Sequence, residues 1–341
     1  MKKKLLGILR FLLFFATALF LLFLAFRGID LKRVFEDLKH ARYAWLLITI
    51  PVGIMSHLFR AMRWNLLIKP LGYRPKTIHT FYAVMSGYLA NLALPRLGEV
   101  VRCGSLTKTD NIPFDKLIGT VIIERAVDLL TVTLLFIFTF LLKIKFFGHF
   151  FSHEIFQPVF HNIKQLLTNT RFLISTALII VFLIIATRIF WKSIKELTLF
   201  RKIKDFLHGI LDGLKTIVRM ENNGRFILLS LLIWFMYYLT AWLIIYTLPD
   251  TSVLSPLDGL FLLVAGSLGM MIPVQGGIGA YHWIVSSALV IYGISRESGL
   301  ALATIAHESQ TLIVLLLGAW SVIMVVLIRN KGKKPEQELR S

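Results

Sequence analysis

Residues 87–102 read Gly87-Tyr-Leu-Ala-Asn91-Leu-Ala-Leu-Pro95-Arg96-Leu-Gly98-Glu99-Val-Val-Arg102. The stretch is apolar on both sides of a break that a simple membrane helix would not contain. Pro95 disfavours helical backbone at Leu94, and Gly98 lets the chain turn sharply. A second helix is expected to begin near Gly98 or Glu99. Its free N–H groups and positive dipole end would then face the membrane interior. Tyr82–Leu106 therefore reads as a helix–break–helix hairpin, each half marginal for one crossing at about 1.5 Å per residue.

A second broken region, Leu257–Tyr292, turns at Pro273-Val-Gln-Gly276-Gly277-Ile-Gly279. Around these two hairpins lie six uninterrupted apolar runs: Leu5–Phe26, Tyr43–Phe59, Leu117–Leu142, Arg171–Trp191, Phe226–Leu248 and Leu300–Ile328. Each is long enough to span a bilayer. The whole chain agrees: 56% of its 341 residues are hydrophobic and only 17% charged, with mean hydropathy +0.72. The expected fold is an all-α polytopic membrane bundle of about six full spans plus two broken re-entrant hairpins. Residues 1–329 would form one transmembrane domain and 330–341 a basic tail. Leu31–His40 and Ile194–Met220, which mix apolar and charged positions, read as helices lying on the membrane surface.

The formal net charge is +19. Its Lys and Arg residues sit at the ends of apolar runs rather than in a separate basic domain, which argues for cytoplasmic loops and against nucleic acid. Lys2–Lys4, Arg188–Arg225 with nine cations, and the tail after Ile328 are expected in the cytoplasm, whereas Pro249–Pro256 has no cation and is expected outside. Both termini are thus cytoplasmic, in a plasma-membrane protein. The first hairpin would enter from the cytoplasm and the second from outside. Arg60, Arg63, Lys69, Arg74 and Lys76 are read as a cytoplasmic loop after the second span. One segment objects: Arg27–Arg42, with five cations, would lie outside.

Arg96 and Arg102 flank the first break and suit a phosphate headgroup, with Asn91, Gly98 and Glu99 beside them; snorkelling to the surface is the simpler alternative. Glu124 and Asp128 lie four apart, on one helix face, and need a cation or a proton; Arg96, Arg102 and Arg125 are candidate partners. An isolated charge in lipid costs at least about 2.5–3.5 kcal/mol on the insertion scale. The cluster could equally be a structural network pinning the hairpin. Gly276, Gly277 and Gly279 offer a second inward-facing helix start, or a close-packing bend. His307 and Glu308 could relay protons. His149 and His153 are at helical spacing with His161 further on, but no HExxH accompanies them and no metal site is read. Trp64 reads as an interface anchor. No ATP-binding motif and no cofactor is apparent.

Arg60-Ala-Met-Arg63-Trp64, the motif from Gly87 to Arg102, Glu124-Arg125…Asp128 and Pro273…Gly276-Gly277-Ile278-Gly279 occur in an order that resembles one family. It is the membrane domain of lysylphosphatidylglycerol synthases, also called flippase-like or UPF0104. The resemblance covers about Leu5–Arg329. It implies a lipid-translocating module of a bacterial or archaeal plasma membrane, handling an anionic or aminoacylated phospholipid. A soluble synthase domain is not expected here, and lysyltransferase activity with it. Relatives often carry an acid soon after the second glycine motif; Tyr281-His282 stands there instead, so headgroup preference is not carried over. Two other roles stay open: an intramembrane lipid transferase with Glu99 or Asp128 as base, and a lipid-presenting partner of a separate synthase or glycosyltransferase.

Overall fold

The computed structural model describes residues 12, 15–17, 19–144 and 221–338, with side chains through residue 330. The expected span Arg171–Trp191, the surface helix Ile194–Met220 and the histidines 149, 153 and 161 lie outside these residues, as does part of Leu5–Phe26. Among the described residues every regular element is helical. In chain order they are α1 (19–26), α2 (Leu31–Lys39), α3 (Tyr43–Ile68), α4 (Thr77–Ala93), α5 (Leu97–Asp110), α6 (Phe114–Leu142), α7 (Asn223–Ile244), α8 (Pro256–Met271), α9 (Ala280–Val290) and α10 (Arg296–Glu338).

This is an all-α membrane bundle. Three described helices are long and apolar enough to cross a bilayer: α3, α7 and α10 with their immediate extensions. They coincide with three of the expected spans. A fourth expected span, Leu117–Leu142, falls on α6, which is 29 residues long. Its second half turns Leu134, Phe136, Ile137, Phe138, Leu141 and Leu142 outward, as α7 does Ile227, Leu228 and Leu231 and α10 does Leu312, Leu316 and Ile323. Apolar side chains facing out on successive helices mark a lipid-facing exterior.

Hydrogen bonds fix which ends share a face. On one face Asn65 reaches Thr77, His79 reaches Asp110 and Lys69 reaches Glu221. The end of α3, both ends of the α4–α5 hairpin and the start of α7 therefore lie together. On the opposite face Arg42 N–H donates to Thr247 O at 2.7 Å, and Ser298 Oγ contacts both Asp37 and Asp250. Lys143 reaches Asp258 and stands over the Tyr292 ring. So α8 and α9 begin and end on this second face. The two hairpins enter from opposite faces, as the charge pattern requires. The anomalous segment 27–42 packs beside 247–250, on the side where the topology puts it.

Each hairpin arm is short. α4, α5, α8 and α9 have 17, 14, 16 and 11 residues, or about 17–26 Å against a hydrocarbon core of about 30 Å. The arms pack closely because glycines remove side chains at the seam. In the first hairpin Gly87 faces Gly98; in the second, Gly266 and Gly269 face Tyr281. The two breaks also meet each other. A Cβ on Gly276 would stand 2.9 Å from Leu92 Cδ2, at the end of α4.

Two boundaries and the burial of one side chain differ from the sequence reading. α3 does not stop at Phe59 but continues through Ile68. Arg60 and Arg63 are thus buried helix residues rather than a cytoplasmic loop, because acids on α6 neutralise them. Trp64 is fully buried, not an interface anchor. α10 continues as helix past residue 329 to Glu338.

Gly98→Ala should be costly, since its Cβ would sit 2.3 Å from Gly87 O. We expect a loss of about 1–3 kcal/mol or more, typical of overpacking. Gly104→Ala, on the same helix with nothing within 4 Å, should be neutral or slightly stabilising. Thermal unfolding of the two variants in detergent checks the contrast; equal melting temperatures would contradict the seam.

Candidate functional site

The acids of α6 organise the interior. Glu124 and Asp128, one turn apart, point at α3, where Arg60 and Arg63 are three residues apart and so share a face. Arg60 Nη1 donates to Glu124 Oε1 at 2.5 Å and to Asp128 Oδ2 at 2.8 Å. Arg63 Nη2 donates to Asp128 Oδ1 at 2.8 Å and lies 3.4 Å from Glu124 Oε1. Arg102, from α5, donates through Nη1 to Glu124 Oε2 at 3.1 Å. Two further donors, Arg60 Nη2 and Arg63 Nη1, find Tyr237 and Ser230 on α7, while the Nε of each is buried without a hydrogen-bond partner. Guanidinium suits this work because its planar fork serves two carboxylates at once. Arg60 lies eight residues from the end of α3 and Glu124 ten from the start of α6, or about 12–15 Å from that face of the bundle.

The cluster holds three guanidiniums and two carboxylates, all at most 9% exposed. One positive charge is left over. It falls toward the first hairpin, because Arg102 is tied by a single nitrogen. Its Nε and Nη2 are buried and have no hydrogen-bond partner, and its guanidinium lies 4.6 Å from the Trp64 ring centre. Trp64 itself donates to Thr120. Arg102 lines a cleft with Val84, Gly87, Tyr88, Asn91, Gly98, Glu99 and Arg125. The cleft is nearly closed at about 10 Å³, room for roughly one water.

The other expected residues divide. Arg125 Nε stands 3.4 Å from Glu99 Oε1, a half-exposed pair at the cleft rim rather than a lock on Glu124 and Asp128. Asn91 Oδ1 accepts the Gly98 N–H at 2.7 Å. That bond occupies one of the free N–H groups expected at the start of α5, which begins at Leu97. Arg96 does not join the acids: it is exposed, without an ion pair among the described residues, and in left-handed backbone with φ 65°. Arg60 and Arg63, which carry most of the neutralisation, were missed as partners. Their i, i+3 spacing, matched to the i, i+4 spacing of the acids, was the available signal.

Comparison with known proteins gives the same outline. Residues 7–318 match the family described as the lysylphosphatidylglycerol synthase TM region. The chain belongs to this family. A UPF0104 membrane protein of Methanocaldococcus jannaschii is 22% identical over 339 residues, covering 95% of this chain and 96% of the relative. A second UPF0104 membrane protein of that organism is 28% identical over 253 residues, 74% of this chain and 99% of the relative. The glycosyltransferase AglD of Haloferax volcanii is 30% identical over 105 residues, 30% of this chain and 17% of that protein. No solved structure matches.

In this family member the second break forms its own polar cluster. Gly276, Gly277 and Gly279 all take positive φ, which glycine adopts without steric cost. The Gly276 carbonyl is turned to His307 Nε2 at 2.8 Å. Next to it, His307 Nδ1 is 2.9 Å from Glu308 Oε1. His282, on α9, completes the group with Nε2 3.7 Å from the same oxygen.

Glu124→Gln should destabilise the protein by about 3–5 kcal/mol, because it leaves buried guanidiniums uncompensated. Adding Arg102→Gln should recover part of that loss by restoring the charge balance. A double-mutant cycle on unfolding in detergent measures the coupling, expected above about 0.5 kcal/mol. Strict additivity would show that Arg102 and Glu124 do not act together.

Proposed function

We propose that this chain is a flippase-like lipid transporter that moves a phospholipid or lipid-linked headgroup between leaflets of the plasma membrane. The observation that carries the reading is the meeting of two helix breaks from opposite faces, Leu92 against Gly276, beside a buried cluster with one positive charge to spare. Broken helices meeting inside a bundle are the usual architecture of a transport site. A family that groups this chain with the membrane region of lipid synthases supports the lipid.

In this reading Arg102 offers its two free nitrogens to a headgroup phosphate, and exposed Arg96 receives it at the entrance. Glu99 and Arg125 line the rim, and Asn91 and Gly98 hold the break in shape. Gly276, Gly277 and Gly279 bound the site from the other side. Charge-assisted hydrogen bonds of this kind contribute about 1.5–3 kcal/mol each. Residues 1–329 act as one unit with both termini in the cytoplasm, taking an anionic or aminoacylated phospholipid. Because the cleft holds about one water's volume, headgroup entry requires the α4–α5 arms to part.

One observation favours a second reading. The partial likeness to a protein named as a glycosyltransferase fits a chain that presents lipid to a separately encoded glycosyltransferase or synthase. An intramembrane transferase would have to use Glu99 as its base, since Asp128 is bound through both oxygens by Arg60 and Arg63.

Arg96→Ala separates function from folding, since it removes no ion pair. We expect normal expression and melting but at least about a tenfold loss of lipid flipping, the equivalent of one lost charged contact. The assay uses the full chain in liposomes with fluorescent phosphatidylglycerol and its lysyl derivative. Normal flipping by Arg96→Ala would remove that residue from the headgroup site. No flipping by wild type, with lipid still retained in native mass spectrometry, would favour the presenting role.

A further inference from the structure

We propose that His282, His307 and Glu308 form a binding site for a divalent metal of the Zn2+ class, between the second hairpin and α10. The inference does not depend on the transport reading. His307 decides it. Its Nε2 lies 2.8 Å from the Gly276 carbonyl oxygen, which can only accept, so Nε2 carries the hydrogen. Nδ1 then presents its lone pair to Glu308 Oε1 at 2.9 Å, which is also an acceptor when ionised. A single proton between Nδ1 and Oε1 closes that pair as an ordinary hydrogen bond; a metal ion can take the proton's place.

A proton would serve two atoms, but three converge. His282 Nε2 stands 3.7 Å from the same carboxylate oxygen, beyond a hydrogen bond, and the three ligand atoms all lie within 4.8 Å of one another. Tetrahedral Zn2+ with bonds of about 2.0–2.1 Å needs ligand edges of about 3.3 Å. Two edges, 2.9 and 3.7 Å, bracket that value; the histidine–histidine edge, within 4.8 Å, must close on binding, and Glu308, with its side chain 51% exposed, has room to adjust. Two imidazoles and one carboxylate are a donor set that Zn2+ takes, leaving a fourth position open.

The surroundings agree. An imidazole bound through one nitrogen while the other donates to a backbone carbonyl is the usual outer-shell arrangement of a metal-bound histidine. His307 has that arrangement; both rings are buried, 5.0 Å apart, while His282 Nδ1 is buried with no acceptor, so His282 would bind without an outer-shell partner. The neighbouring Gln275 is also buried, with neither side-chain polar atom bonded. Glu308 is the exposed member of the cluster.

The test is metal titration of the purified full-length protein in detergent after chelator treatment. Zn2+ is followed by calorimetry and Co2+ by its visible absorption, which reports tetrahedral nitrogen and oxygen ligation. Wild type should bind one equivalent. His282→Ala and Glu308→Gln should each weaken binding by more than about tenfold. The change at half-exposed Glu308 keeps the side-chain size and guards against misfolding of the histidine variant. His40→Ala, at an exposed histidine outside the cluster, should bind as wild type. Absence of binding by wild type, or equal binding by wild type, Glu308→Gln and His282→Ala, overturns the proposal.

Discussion

Two carboxylates one turn apart on α6 set the terms for the rest of the interior. In an apolar bundle each buried ion carries a desolvation penalty of several kcal/mol, comparable to or larger than the roughly 1.5–3 kcal/mol from burying a large apolar side chain. Glu124 and Asp128 are therefore tolerable only if cations arrive from neighbouring helices. Arg60 and Arg63 come from α3, and Arg102 from α5. Each contact dictates a facing surface: α3 must run alongside α6, and the first hairpin must dock where Arg102 reaches Glu124. Tyr237 and Ser230 bring α7 to the same centre. Such a network is weak evidence for added stability. Its effect is to make most other arrangements of these helices far worse.

The two hairpins meet that centre differently. The first brings a fixed positive charge in Arg102, with the Glu99–Arg125 pair beside it and Arg96 exposed at the break. The second contributes no lysine or arginine at its break. Its polar character comes from glycine backbone, His282 and the His307–Glu308 pair of α10. The pseudo-symmetry lies in backbone geometry, not chemistry. A permanent cation thus stands on one side and two imidazoles with a carboxylate on the other.

Much of this was legible in the residues. Pro95 and Gly98 marked the first break, and α5 begins at Leu97, within two residues of expectation. Pro273 to Gly279 marked the second. The distribution of cations elsewhere pointed to hairpins entering from opposite faces, whereas the five cations of 27–42 argued against the position it takes beside 247–250. What failed was pairing across elements. Arg60 and Arg63 sit where an apolar run ends, and cations there read as a loop; only acids more than sixty residues away turn them inward. Trp64 was taken for an interface residue for the same reason. His282 and His307 are 25 positions apart on two helices, so no local spacing joins them. Arg96 was grouped with the acids by proximity in sequence, whereas left-handed backbone carries it away from them.

The seam between α4 and α5 is built where Gly87 and Gly98 put backbone directly against backbone. Helices that interlock through side chains must lift ridges out of grooves, or change rotamers, before they can move past each other. At this crossing no ridge exists, and a single bond, Gly98 N–H to Asn91 Oδ1, fastens the two arms near the break. The hairpin thus resembles a smooth bearing with two latches, Asn91 near the break and the His79–Asp110 contact at its open end. Displacement along the helix axes meets little friction, while rotation of either arm would drive a neighbouring side chain into the seam.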